Sequence, residues 1–177
     1  MVTKLQAVNA SLLAIGQQLV ATLEDALDID ATQALILLDE INEEIQSEGW
    51  AFNTDDNLTL TPNSLTGYIT IPSNYINVRS VGTPTVQVRN GKLYNQSTQT
   101  DVFTSDVTAE VIRLVPFEET PAPFALYIKS LLVRRFQERF LGDSTMTQTL
   151  ALEEQQALLR LRNWDNSVGQ YNLLEGL

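Results

Sequence analysis

Apolar positions recur at steps of three and four near both ends of the chain and at steps of two in its middle. Leu5, Val8, Leu12 and Ile15 share one face of a helix predicted from about Lys4 to Ile15. Thr3 with Gln6 supplies a capping box at its start, and Gly16 a stop at its end. The acidic stretch from Glu24 to Asp30 reads as a loop. A second helix is predicted from about Ala31 to Glu48, opened by a capping box of Asp30 and Gln33 and ended by Gly49. Ala34, Leu38, Ile41 and Ile45 form its core stripe. Leu35, Ile36 and Leu37 make residues 34–38 apolar all round. Such a turn is expected to be buried on two sides, and central placement in a bundle is favoured over a subunit contact.

From Trp50 to Val115 the period shortens. Runs at 57–61, 67–71, 76–81, 85–89, 92–95 and 109–115 read as strands. Asn90-Gly91 is a two-residue hairpin signal between two of them. Pro62, Pro72 and Pro84 disfavour central strand positions where they fall. Trp50 and Phe52, at the head of this segment, are expected to seal the junction between sheet and helices. Helical spacing returns at Thr120, read as an N-cap with Pro121 in the first helical position. Phe124, Ile128, Leu132, Phe136 and Phe140 then fall at steps of four, Tyr127 and Leu131 widen the face, and Gly142 stops the helix. A last long helix is predicted from about Thr147 to Trp164, with Leu150, Ala157, Leu161 and Trp164 inward. Its acids Glu153 and Glu154 lie early and Arg160 and Arg162 late, as the helix dipole favours. Residues 166–177 carry Leu173-Leu174, expected to lie against the parent bundle or in a neighbour.

Strands grouped between helices predict an α+β fold. The expected architecture is a helical bundle formed by N- and C-terminal helices, residues 1–49 and 117–177, with a small antiparallel β-sheet lobe, residues 50–116, inserted between them.

A chain of 177 residues can bury roughly 70% of the surface it exposes when unfolded. It holds neither cysteine nor histidine. Zinc sites of the usual kinds, Ser-His-Asp and Cys-His catalysis, and disulfide stapling are thereby excluded. No apolar run approaches the length of a membrane span, and no signal-peptide core follows the N-terminus, so synthesis in the cytoplasm without an anchor is expected. The formal net charge is -11, and it is uneven. Residues 1–60 hold eleven acids and one base, Lys4, a balance of -10; residues 61–177 hold eleven acids and ten bases, a balance of -1. Binding DNA along its phosphates requires clustered Lys and Arg, which argues against that role.

Little in the chain points to chemistry. Asp28-Ile29-Asp30 opens like a calcium loop, but Gln33 stands where such a loop needs glycine, and helix capping accounts better for Asp30. Phosphate-binding glycine loops are absent. Adjacent carboxylates such as Glu43-Glu44 and Glu118-Glu119 read as solvated faces. No catalytic residue, metal or cofactor is expected. One cluster stands out: Lys129, Arg134, Arg135 and Arg139 lie within eleven residues of one predicted helix. They form either a solvated face balanced by Glu138 and acids elsewhere, or a contact with an acidic patch on a neighbouring copy.

Several motifs, taken in order, carry a resemblance. Leu12-x-x-Ile15-Gly16 is followed by Thr22-Leu23-Glu24, then Ile41-Asn42-x-x-Ile45-Gln46-Ser47-x-Gly49-Trp50-x-Phe52-Asn53 and Leu58-Thr59-Leu60-x-Pro62. Ile112-Arg113-Leu114, Arg139-Phe140-x-Gly142 and Gly169-x-Tyr171-Asn172 complete the series. This resembles the tail tubular protein A family of T7-like podoviruses over nearly the whole chain. The resemblance implies a structural virion protein, not an enzyme. In known members twelve subunits form a ring between the dodecameric portal and the hexameric tail nozzle of tail tubular protein B. The ring acts as adaptor or gatekeeper, extends the channel for passing genomic DNA during ejection, and in T7-like phages helps seat tail fibres. Some relatives run on beyond the position of Leu177.

On this reading Lys129, Arg134, Arg135, Arg139, Tyr171, Leu173 and Leu174 are candidate contacts to a neighbour or the portal. Glu24, Asp25, Asp28, Asp55 and Asp56 are candidates for a channel wall that repels DNA. Two other classes remain: a tail-associated hydrolase, needing a cleft acid of raised pKa, and an acidic DNA mimic, needing carboxylates spread along the chain rather than gathered in its first third.

Overall fold

The computed structural model describes residues 1–24 and 28–174, the side chains of residues 170–174 excepted. Its helices are α1 (Lys4–Ala14), α2 (Ile29–Gln46), α3 (Ala122–Phe140) and α4 (Ser144–Leu174). Its strands are β1 (Thr54–Leu60), β2 (Tyr75–Ser80), β3 (Val86–Arg89), β4 (Lys92–Asn95) and β5 (Val107–Arg113), all paired antiparallel. The fold is α+β, as the grouping of strands between helices predicts. The chain forms two compact units: Met1–Ile45 with Pro116–Leu177, and Gln46–Val115.

In the helical unit α1 begins with the predicted capping box. Thr3 Oγ1 accepts from Gln6 N at 3.1 Å, and Gln6 Oε1 accepts from Thr3 N at 3.0 Å. Val8 and Leu12 are buried with Ala7 and Ser11, while Leu5 and Ile15 are half-buried at the stripe's ends. Helix α2 starts two residues earlier than its pattern predicts, because Asp28 and not Asp30 caps it: Asp28 Oδ1 accepts from Ala31 N at 2.8 Å. Asp30 lies in the first turn, where a negative charge suits the helix dipole. Ala34, Leu38, Ile41 and Ile45 are buried as expected, and so is Leu37. The expected two-sided burial of residues 34–38 does not hold, since Ile36 is 55% exposed and Leu35 half-buried.

Helix α3 is the spine of this unit and packs against both α1 and α4. Phe124, Ile128, Leu132 and Phe136 are fully buried, with Leu131 and Tyr127 beside them. Phe140 is not; it is 45% exposed. A row at steps of four drifts about 40° per step on a helix of 3.6 residues per turn, and four steps carry Phe140 out of the core. Thr120 does not cap α3. Its Oγ1 donates to Phe117 O at 2.6 Å, closing a single 3-10 turn at Phe117–Glu119, and the N-cap position falls to Pro121.

The turn from α3 to α4 is built on Gln137, which is fully buried. Its carbonyl accepts from Leu141 N and Gly142 N, its Nε2 donates to Asp143 O, and its Oε1 accepts from Thr147 Oγ1. Asp143 Oδ1 accepts from Thr145 N and Met146 N, both at 2.9 Å, so α4 begins at Ser144 rather than Thr147. It then runs 31 residues, well past the predicted end at Trp164.

The β unit holds a three-stranded sheet in the order β1-β5-β2 and a separate two-stranded β3-β4 hairpin. Val107, Ala109 and Val111 of the central strand alternate into a core with Leu60, Val78, Val86, Leu93 and Phe103. Asn90 (φ 49) and Gly91 (φ 70) make the predicted hairpin turn. Residues 67–71, predicted as a strand, make only isolated bridges, Tyr68 to Val102 and Thr70 to Lys92. Ile69 and Ile71 still point into the core, which explains their apolar alternation.

Candidate functional site

The residues that carry the family resemblance in the middle of the chain meet in space within the β unit. Gln46 is fully buried, and its amide clamps the backbone of Val115 from both sides: Nε2 donates to Val115 O and Oε1 accepts from Val115 N, each at 2.8 Å. Asn53, 3% exposed, accepts from Trp50 N at 2.8 Å and donates to Gln46 O at 3.0 Å and Arg113 O at 2.9 Å. Arg113 N donates back to Asn53 O at 2.8 Å. Gly49 has φ +79, and a Cβ there would come within 3.0 Å of Ile112 Cδ1. The Gln46…Gly49-Trp50-x-Phe52-Asn53 motif and Ile112-Arg113-Leu114 are thus two halves of one polar clasp. Its task is to tie the start of the β unit to its end.

The basic cluster on α3 divides by direction. Arg135 reaches α2 and forms a two-pronged pair with Glu44, Nη1 to Oε2 at 2.6 Å and Nη2 to Oε1 at 3.0 Å. Arg134 reaches α4, pairing through Nε with Glu154, and also meets Glu138 at 3.0 Å. Both arginines therefore have partners inside their own subunit. Lys129 is half-buried in a groove between α3 and α4. Arg139 is exposed and makes no ion pair among the described residues.

The hydrogen bonds from Arg135 hold the Glu44 carboxyl below its ordinary range despite slight desolvation, and Glu44 in turn raises Arg135. A carboxylate of lowered folded pKa contributes stability above its unfolded pKa and loses it as pH falls through the folded one. Glu44 is 53% exposed, so solvent screening limits the pair to about 1 kcal/mol or less. Arg135→Ala is expected to lower stability by up to that amount at pH 7. The difference from wild type should shrink as the pH falls below the ordinary carboxylate range and Glu44 takes up its proton. Urea unfolding at neutral and at acid pH checks it.

The acids of the first third are spread over different tasks. Glu24 and Asp56 are exposed. Asp28 caps α2. Asp55 forms an ion pair with Arg113. Asp25 lies outside the described residues, as do the side chains of Tyr171, Leu173 and Leu174, whose backbone closes α4.

One surface depends on two helices together and is not marked in the sequence. The groove between α3 and α4 has a volume of about 400 Å³ and is lined by Pro123, Leu126, Lys129, Glu153, Gln156 and Arg160, among others. Along α4 only Leu161 is buried among the described residues, and Leu152 and Leu159 are 62% and 53% exposed.

A clasp of backbone-directed amides, interhelical ion pairs and a long helix with exposed apolar side chains characterise this α+β chain. The sequence model of the tail tubular protein family matches residues 5–171, nearly the whole chain. The chain belongs to that family and is a structural protein of a bacteriophage tail. No curated protein matches it.

Proposed function

We propose that this chain is a head-to-tail adaptor, not an enzyme: copies form a ring that joins the portal to the nozzle and extends the DNA channel. The observation that carries this reading is the family match over residues 5–171. Twelve copies, one per portal subunit, is the stoichiometry proposed, with the ring in the virion tail at the portal junction and available to tail fibres on its outside. The work is mechanical and electrostatic. Docking on the portal gathers copies at high effective concentration, so ring closure follows docking. Acids within residues 24–56, Glu24 and Asp56 foremost, keep the channel wall from adhering to DNA. A ring structure with those acids on its outer rim would contradict that assignment.

The end of α4 is proposed to reach the portal or a neighbour through Tyr171, Leu173 and Leu174. Truncation after Gln170 is expected to abolish assembly on the portal while leaving the melting temperature within about 2 °C of wild type, because the segment removed follows Leu161, the last buried position among the described residues. Sedimentation with the cognate portal and a thermal melt check both halves. Assembly at wild-type affinity by the truncated chain would remove the terminal segment from the interface.

A further inference from the structure

We infer that neighbouring copies join by seating the outer face of α2 of one copy in the α3–α4 groove of the next; this rests on the ring-forming reading above. Two surfaces of the helical unit fit each other. The first is a stripe on α2. Ile29, Gln33, Ile36, Glu40 and Glu43 follow one another at steps of four and three, which places them on one side of the helix. All five are exposed, Ile29 at 72% and Ile36 at 55%. Glu40 and Glu43 make no ion pair among the described residues. The stripe is therefore apolar at one end and acidic at the other, and none of the described residues covers it.

The second surface is the groove. Leu126, 43% exposed, and Ala157 supply its apolar floor, and Lys129 and Arg160 its cations. Glu153 lies seven residues before Arg160 on α4, about 10 Å away along the axis. Gln33 and Glu40 on α2 have the same seven-residue separation. Laid parallel to α4, the neighbour's α2 puts Gln33 beside Glu153, Ile36 over Leu126 and Ala157, and Glu40 beside Arg160 with Lys129 within reach. The antiparallel arrangement would bring Glu40 and Glu43 toward Glu153 and is disfavoured by like charge.

The two surfaces are also different faces of one subunit, as a head-to-tail ring requires. Arg134 and Arg135 are adjacent on α3 and diverge by about 100°. One reaches α4 at Glu154 and the other α2 at Glu44, so α2 and α4 flank α3 on separate sides. Each copy then offers its α2 stripe on one side and its groove on the other.

Charge reversal tests the match. Arg160→Glu with Lys129→Glu in one variant, and Glu40→Arg with Glu43→Arg in another, are each expected to weaken ring formation on the cognate portal by about tenfold or more. The variant carrying all four changes is expected to recover most of that loss, because every interface is then complementary again. Thermal melts within about 3 °C of wild type show that the variants fold. The absence of cysteine allows a second test. Gln33→Cys and Glu153→Cys in one chain, treated with a short bis-maleimide, should give a ladder of linked copies from portal-bound rings. Wild-type rings whose charge variants assemble unchanged, or cysteine rings that give no ladder, overturn this interface and leave the adaptor reading standing. A wild-type chain that forms no ring on the portal overturns both.

Discussion

Phe136→Ala is expected to cost about 3–5 kcal/mol of stability, enough to lower the melting temperature by about 10 °C in a chain of this size. Phe136 is fully buried on α3, the helix that packs against both α1 and α4. Its ring lies 4.3 Å from that of Phe140, centroid to centroid, so one face of the cavity left by truncation is walled by a side chain that is itself 45% exposed. Some collapse of Phe140 into the gap is expected, which places the loss toward the lower half of that range. Phe140→Ala is the matched control. It removes the same ring from a mostly solvated position and should cost about 1 kcal/mol or less. Circular dichroism melts of the pair measure the contrast. Equal losses at the two positions would contradict the drift of the apolar row out of the core.

Asn53→Ala is expected to destabilise the β unit by about 2–4 kcal/mol. Three backbone groups lose their partner at once: the Trp50 N–H, the Gln46 carbonyl and the Arg113 carbonyl. Each unsatisfied buried group costs about 1–3 kcal/mol, and the three are not additive because their site can admit water once the amide is gone. Asn53→Asp should do no better. It keeps the acceptor for Trp50 but turns a carboxylate oxygen toward two carbonyls that need donors. Trp50 is buried beside this clasp, so its fluorescence reports loosening directly. An Asn53→Ala midpoint within a degree of wild type would show that the clasp is not a stabilising element.

Much of the fold can be read from pattern. The capping box at Thr3 and Gln6, the core stripe of α2, the Asn90-Gly91 turn and the grouping of strands between helices all stand where period and turn chemistry put them. The errors have local causes. Two aspartates sit two residues apart at the start of α2, and spacing to Gln33 points to the second, Asp30; the geometry shows Asp28 bonded to Ala31. The apolar period of α4 begins after Asp143, so period alone does not mark that residue as the cap. Thr120 looked like a cap because Pro121 follows it, yet its hydroxyl serves the preceding turn. Burial of Ile36 was inferred from the residues around it on the helix, while exposure depends on what the rest of the chain brings near.

The candidate site was legible in a different way. The motif residues Gln46, Asn53 and Arg113 were visible as a resemblance, but that they form one clasp depends on contacts across as many as 69 positions of chain. The basic cluster was visible as a charge run on one helix. Its division, with Arg134 turned to Glu154 and Arg135 to Glu44, required knowing which helices flank α3. The groove with Lys129 and Arg160 is a property of two helices together and has no signature in either alone.

The central claim is that this tail protein assembles as a ring on the portal. Light scattering of the chain alone and after mixing with its cognate portal tests it most directly. The expected result is a discrete increase in the portal's mass equal to twelve chains of 19.7 kDa each. No gain in portal mass at micromolar chain concentrations would contradict the adaptor reading.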